Sequence, residues 1–386
     1  MKIHFFLENS CSQLGFGDSI VIKQIVNGLK LLGVESEVSN NLSHVQQADI
    51  VFLSNVYLDL NPKMQLLKLL SKPYHLIPFY EDVSHYLKSA FGFFAFHASK
   101  LQKTSPLTFE KFMHSFQFEV RDHNKLNRDV IEGAQSIIAN TAKEKETILK
   151  DYPNKRVEVI HWAAGQKFDT PEEAFTSQYH LLKKEYIIQV GRFEPRKNQI
   201  ASILSTKKSK VPLVLISSHI FKQHLPYVKC CLELARQARN SPVIIFSQDL
   251  ENEDHPNLKV HKIKAPLSKG QLLNAYKNSA LHIHPAFYEL PGFTTLESAK
   301  LGIPTIASNW STLKSYLLEN KVELSDKRIK YVDPTDIETM SKLVDSEIGK
   351  SYSKLIDPLY ERGDLEVAKE FNNIYNDCEN RTKPLS

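Results

Sequence analysis

Short, nearly continuous apolar runs alternate with amphipathic stretches from the first residues onward. Residues 2–7 (KIHFFL), 48–54 (ADIVFLS), 74–79 (YHLIPF), 136–140 (SIIAN) and 157–162 (VEVIHW) predict strands in the first half of the chain. The runs 186–190 (YIIQV), 212–217 (PLVLIS), 242–246 (PVIIF), 258–263 (LKVHKI), 281–285 (LHIHP) and 304–308 (PTIAS) do so in the second. Residues 19–33 place apolar side chains three and four apart and predict a helix. Strands that are apolar throughout are buried on both faces, and their alternation with helices implies parallel sheets covered on each side. The expected class is therefore α/β. The polar stretch 165–184 breaks the alternation and predicts a connection between two doubly wound, Rossmann-like domains, 1–165 and 166–350, that face a central cleft. The remaining 351–386 reads as a charged helical segment expected to pack back on the first domain.

Composition narrows the functional classes. At 386 residues, 42% of them hydrophobic, the chain can bury more than one core. Its 49 Lys and Arg against 44 Asp and Glu leave a small positive excess without a polybasic block, so nucleic acid is not an expected partner. No window approaches the roughly 20 apolar residues of a membrane helix, and MKIHFFLENS reaches Glu8 without a cleavage pattern. A cytoplasmic protein is expected. The aromatic, lysine-flanked run 84–103 leaves three readings open: a buried helix, an acceptor groove, or peripheral contact with the inner face of a membrane. Cys11, Cys230, Cys231 and Cys378 are too few and too irregular for a disulfide framework or paired zinc ligands. Neither H-E-x-x-H nor D-x-D occurs, so no obligatory metal and no other cofactor is expected.

Three stretches carry candidate chemistry, each just after a predicted strand, where open α/β sheets bind ligands. In VGRFEPRKNQ, Gly191 allows a sharp turn, Arg192 and Lys197 place two cations on the loop, and Asn198 can cap the next helix. Such a loop suits a diphosphate. In HPAFYELPGFTTLESAKLGIPTIAS, Glu289 lies on the loop, Gly292 permits close backbone approach, and Glu297 follows eight residues on within a helix. Amides opening that helix can meet a phosphate, and a carboxylate deeper in it can accept two hydrogen bonds from a vicinal diol. The third stretch, ENSCSQLGFGDS, offers Gly15 and Gly17 before a helix, a weak phosphate-approach element. Taken singly, Arg192 and Lys197 would be solvated charges, Glu289 and Glu297 ordinary acids, and Gly15 and Gly17 a tight turn.

In combination these residues resemble a known family. The order G-R-F-E-P-R-K-N, then E-x7-E from Glu289 to Glu297, G-I-P-T-I-A-S, and Y-V-D-P-T-D at 331–336 is similar to the retaining nucleotide-sugar glycosyltransferases of family 4, with the GT-B fold. The resemblance covers the whole chain. It implies a nucleotide-sugar donor and a glycan or lipid-linked glycan acceptor. Arg192 and Lys197 would stabilise the departing diphosphate, Glu297 would bind the ribose, and Glu289 would contact the transferred sugar. Backbone around Gly191, Gly292, Phe293 and Thr294, together with Gly15 and Gly17, would complete the donor site. Where the family commonly has E-G-F-G-L-P-x-x-E, this chain has E-L-P-G-F-T-T-L-E. Where members often carry a histidine after the fourth strand, it has Tyr80-Glu81-Asp82, assigned here to the acceptor side, although Glu81 and Asp82 could equally cap the next helix. Two other classes stay open: a GT-B epimerase or phosphorylase, and a binding or scaffold protein that keeps the donor site without turnover.

Overall fold

The computed structural model describes residues 1–7, 17–56, 59–81, 83–102, 110–114, 126–162, 171–217, 219–321, 328–352 and 363–382. Six strands, β1 (Lys2–Phe6), β2 (Glu35–Ser39), β3 (Ile50–Ser54), β4 (His75–Ile77), β5 (Ile137–Ala139) and β6 (Val157–Val159), form one sheet in the order β2-β1-β3-β4-β5-β6. Every pairing in it is parallel. Eight more, β7 (Ile187–Val190), β8 (Leu213–Ser217), β9 (Val243–Ser247), β10 (Glu253–His255), β11 (Leu258–Lys262), β12 (Leu281–His284), β13 (Thr305–Ser308) and β14 (Ile329–Val332), form a second sheet. Its order is β10-β11-β9-β8-β7-β12-β13-β14, parallel except for the antiparallel pair β10–β11.

The apolar runs become the inner strands for a simple reason: a strand covered by helices on both faces needs apolar side chains at every position. The strands β2, β10 and β14 escape the apolar pattern because each lies at an edge of its sheet and is only partly buried. Each sheet reverses its strand order, at β1/β3 in the first and at β7/β12 in the second, and α/β sheets bind ligands at such switch points.

Two segments pack in ways that strand and helix periodicity does not show. Within the polar stretch expected to connect the halves, Phe175 is fully buried beside Tyr186, Ile188 and Phe246 of the second sheet. One aromatic anchor thus draws residues after 171 into the second core. The helix Val83–Gln102 follows β4 of the first sheet, yet Ala90, Phe93 and Phe94 are buried in the second sheet's core. Phe93 and Phe94 each lie 5.7 Å from Phe287, ring centre to ring centre, and Phe94 lies 6.1 Å from Tyr227. Phe91 and Phe96 on the same helix are exposed. Ala90, Phe93 and Phe94 of this run therefore form an apolar, largely aromatic seam between the first-sheet connection and the second core. Polar contacts join the halves as well: the Tyr316 hydroxyl donates to the Trp162 carbonyl at 2.6 Å, and His161 Nε2 lies 2.8 Å from Glu319.

The helix Asp364–Thr382 lies against the helix Gly17–Leu31, and its Phe371 and Tyr375 close over the first sheet. Phe371 stands 5.0 Å from the Phe52 ring, and Tyr375 meets Phe52 edge-on at 5.2 Å. The two helices approach closely at Gly28, where an added Cβ would stand 1.9 Å from the Asp364 carbonyl oxygen and 2.7 Å from the Ala368 methyl. Gly28→Ala should therefore force the helices apart and lower stability by about 1–3 kcal/mol, as overpacking of a tight contact does. Urea unfolding measures this, and an unchanged midpoint would show that the contact is not needed for docking.

Candidate active site

The chain leaves β7 through Gly191 into Arg192, Phe193 and Glu194 and tightens into the single turn Pro195–Lys197. Asn198 then adopts a left-handed backbone and caps the helix Gln199–Ser205 by accepting from the Ala201 amide. Asparagine tolerates that conformation better than most residues, because its short side chain can bond locally. Buried amides hold this path: Gln189 donates to the Lys197 carbonyl at 2.9 Å, Gln199 to the Arg192 carbonyl at 2.7 Å, and Asn198 to the Pro334 carbonyl at 2.9 Å. The last bond ties the loop to the Y-V-D-P-T-D segment, which runs out of the end of β14.

The second loop leaves β12 at His284 and reaches the helix Phe293–Lys300. It is sewn to the first, since the Phe287 amide donates to the Arg196 carbonyl at 2.8 Å. The Glu289 carbonyl accepts from both the amide and the hydroxyl of Thr312 at 3.0 and 3.3 Å. Gly292 caps the helix with φ 99° and ψ 75°, in a region where a side chain would be strained.

These loops, together with Glu81 from the first half, bring three cations against three carboxylates. The Lys197 ammonium donates to Glu289, which also lies 3.0 Å from His284 Nε2 and 3.7 Å from Arg196 Nη1. Arg196 donates to Glu194 at 2.9 Å and to the Tyr288 carbonyl at 3.2 Å, and reaches Glu81 of the first half at 3.5 Å. Arg192 pairs with Glu194 at 3.2 Å and lies over the Phe221 ring at 5.2 Å. Glu81, Glu194 and Glu289 are all buried.

Burial sets the protonation equilibria here, and the charges oppose it. For Glu289 burial favours the neutral acid, but Lys197 and Arg196 outweigh it and hold the carboxyl well below the usual range. Glu194 likewise falls to about 2, because Arg192, Arg196 and Lys197 overcome its burial. Burial, with Arg196 adding to it, lowers Lys197, and Glu289 and Glu194 partly restore it. Burial also lowers His284, against the pull of Glu289.

The sequence-predicted residues separate into those the fold gathers and those it does not. Arg192, Lys197, Gly191 and Glu289 share one cluster. Glu297 is buried on its helix and accepts from the Tyr276 hydroxyl at 3.4 Å. A file of rings runs from it toward Glu289: Tyr276 meets His282 edge-on at 5.7 Å, and His282 stacks on His284 at 5.9 Å. Phe293 and Thr294 form the first turn of the Gly292-capped helix. Gly17 begins its own helix, while Gly15 and Asp82 lie outside the described residues. Tyr80 does not offer its side chain to the cleft: it is buried, donating to Asp151 at 2.6 Å. Its aromatic body belongs to the first core, which outweighs any exposure its place after β4 would give it. Sequence reasoning passed over Glu194, Arg196 and His284. The first two stand inside the G-R-F-E-P-R-K-N motif, and i+2 alternation with His282 marked His284 as facing the same side.

Residues 172–350 match the family model described as glycosyl transferases group 1. No curated protein matches the chain. Among solved structures it is similar over 99% of its length to all of the sucrose-phosphate synthase of Thermosynechococcus elongatus, at 13% identity and a TM-score of 0.64. It is similar over 97% of its length to 99% of Anabaena HepE in complex with UDP and glucose, at 14% identity and a TM-score of 0.62. It also matches, over 86% of its length, 75% of a UDP-forming trehalose-phosphate synthase from Burkholderia xenovorans, at 11% identity and a TM-score of 0.56. The fold is GT-B over the whole chain.

Removing one member of a buried ion pair strands the other. Lys197→Ala should therefore cost stability, toward the lower end of the roughly 3–5 kcal/mol typical of such breaks because Arg196 stays near Glu289. Adding Glu289→Gln should recover part of it, and chemical denaturation of the single and double variants decides the matter. A second expectation concerns acid. Glu194 and Glu289 have depressed folded-state values, so their contribution is complete above the ordinary value of 4.5 and is lost as pH falls toward 2. The melting temperature should drop through that window, and less steeply in Glu194→Gln; parallel profiles would remove Glu194 from the account.

Proposed function

We propose that this protein is a retaining glycosyltransferase that moves a sugar from a nucleoside diphosphate sugar to a hydroxyl of a glycan or lipid-linked glycan. The observation that carries the reading is the pairing of the cation loop with the acidic loop, Lys197 on Glu289, at the switch point of the second sheet. The match of residues 172–350 to glycosyl transferases group 1 supports the reaction class. The UDP and glucose in the Anabaena neighbour support a nucleotide-sugar donor, with UDP-sugars tested first and GDP-mannose beside them.

In the proposed reaction the bond between the anomeric carbon and the β-phosphate oxygen breaks, and its electron pair goes to the diphosphate. Lys197 and Arg192 stabilise the charge that grows there, which is where fixed cations in a dry site accelerate a reaction most. As Lys197 turns to the phosphate, the Glu289 carboxylate becomes available to sugar hydroxyls. Glu297 accepts from the ribose. The acceptor oxygen attacks the same face, and its proton passes to the departing phosphate oxygen, so no strong base is needed on the acceptor side. The cations take the electrostatic role that a metal could play, and no obligatory metal is proposed. The first domain, 1–165, would hold the acceptor, and 166–350 the donor.

One observation favours the binding or scaffold reading as a second possibility: the Tyr80 hydroxyl is committed to Asp151 and cannot orient an acceptor. A donor panel read by mass spectrometry, with nucleoside diphosphate release followed separately from binding, tells the two apart. Turnover with at least one nucleotide sugar is expected, and tight binding without turnover of any donor would favour the scaffold. Arg192→Ala and Lys197→Ala should each lower turnover about 100-fold, the scale for removing one transition-state-stabilising group; a near-normal rate in either would detach it from the reaction. Turnover should persist in EDTA, and complete loss restored by a divalent cation would overturn the metal-independent part.

A further inference from the structure

We propose that Arg196 is a positioning residue through which Glu81, on the opposite side of the cleft, governs whether Glu289 is available to the sugar. The proposal rests on the reading above in one respect, that Glu289 faces the transferred sugar. Arg196 Nη1 stands almost equally far from two carboxylates, 3.5 Å from Glu81 Oε1 and 3.7 Å from Glu289 Oε1. Its other terminal nitrogen is held by Glu194 at 2.9 Å, and its backbone carbonyl by the Phe287 amide at 2.8 Å. The guanidinium is thus fixed at its base and shared at its tip.

Glu81 cannot follow the second half if the cleft opens. The preceding residue is anchored within the first half: the Tyr80 amide donates to Glu144 at 2.7 Å and its hydroxyl to Asp151 at 2.6 Å. The Tyr80 carbonyl accepts from the Tyr288 hydroxyl at 3.2 Å, so opening would break this bond and the Glu81–Arg196 pair together. Once Glu81 is withdrawn, the tip of Arg196 has Glu289 as its nearest remaining carboxylate apart from Glu194. Arg196 would then bear on Glu289 undivided, and sugar hydroxyls would have to compete with it more strongly, as well as with Lys197. With Glu81 in contact, Arg196 is shared and stands 3.7 Å from Glu289, so Lys197 is the cation that holds Glu289 most closely. Glu81 thereby couples closure of the acceptor side to readiness of the donor side, and the open enzyme is kept from spending its donor on water.

The test uses the full chain with Glu81→Gln, Arg196→Gln and the double variant. Each is read by small-angle X-ray scattering without ligand, by calorimetric titration with UDP, and by kcat and KM on the best donor of the panel. Both single variants should scatter as more open particles than the parent. UDP affinity should stay within about twofold, since Arg192 and Lys197 are untouched, while kcat should fall about tenfold in Glu81→Gln, which leaves Arg196 on Glu289, and by less in Arg196→Gln, which frees Glu289 but loses the contact that closes the cleft. The double variant should be no worse than the worse single one, as expected for two residues acting through one contact. Arg196→Lys, which keeps the charge but reaches fewer carboxylates, should recover part of kcat; it also replaces Arg196→Gln if that variant melts below the assay temperature. Unchanged scattering in the single variants, or losses in kcat that multiply in the double variant, would overturn the proposal. If the parent turns over no nucleotide sugar at all, the glycosyl-transfer reading fails by itself, and scattering still decides whether Glu81 and Arg196 hold the cleft closed.

Discussion

The contact between Lys197 and Glu289 is the constraint around which the second half is arranged. Neither charge could be buried alone, because withdrawing an ion from water costs several kcal/mol even after relaxation. Each loop therefore needs the other, and the backbone bonds from Phe287 to Arg196 and from Thr312 to Glu289 hold them in register. The switch point between β7 and β12 places the loops side by side, so the sheet order is what makes the pairing possible.

A balanced buried cluster is a costly way to stabilise a fold, and apolar packing of similar volume would often serve as well or better. Its retention is understandable if the charges are meant to be exchanged. In the proposed reaction a diphosphate would replace Glu289 on Lys197, and sugar hydroxyls would replace Lys197 on Glu289, so the substrate would complete pairs that the protein otherwise makes with itself. The strong depression of Glu194 and Glu289 keeps both ionised throughout the physiological range. The site therefore holds its charge pattern ready before any ligand arrives, as electrostatic preorganisation requires.

The two halves meet through dissimilar contacts. On one side aromatic rings of the helix Val83–Gln102 are sunk into the second core beside Phe287, an apolar joint with little directional demand. Elsewhere the contacts are polar, from Glu81 to Arg196, Tyr288 to Tyr80, Tyr316 to Trp162 and His161 to Glu319. A joint of the first kind tolerates rotation better than one of the second, which either forms or does not.

Much of the architecture was legible in the sequence because a strand buried on both faces must be apolar at nearly every position. Runs such as IVFLS, LVLIS and VIIFS therefore appear as inner strands. Edge strands such as ESEVS carry no such demand and left no comparable trace. The cation loop and the spaced glutamates could be read in order, because charged residues and glycine at strand ends have a local meaning. Tertiary structure alone decided which charges meet: that Lys197 takes Glu289, that Arg196 stands between Glu81 and Glu289, 115 residues from the first of these, and that Tyr80 turns inward to Asp151. It also decided that an aromatic run following a first-sheet strand would pack in the second core. Spacing along a chain fixes neighbours within one strand or helix, whereas the pairing of buried charges depends on which loops the sheet order sets side by side.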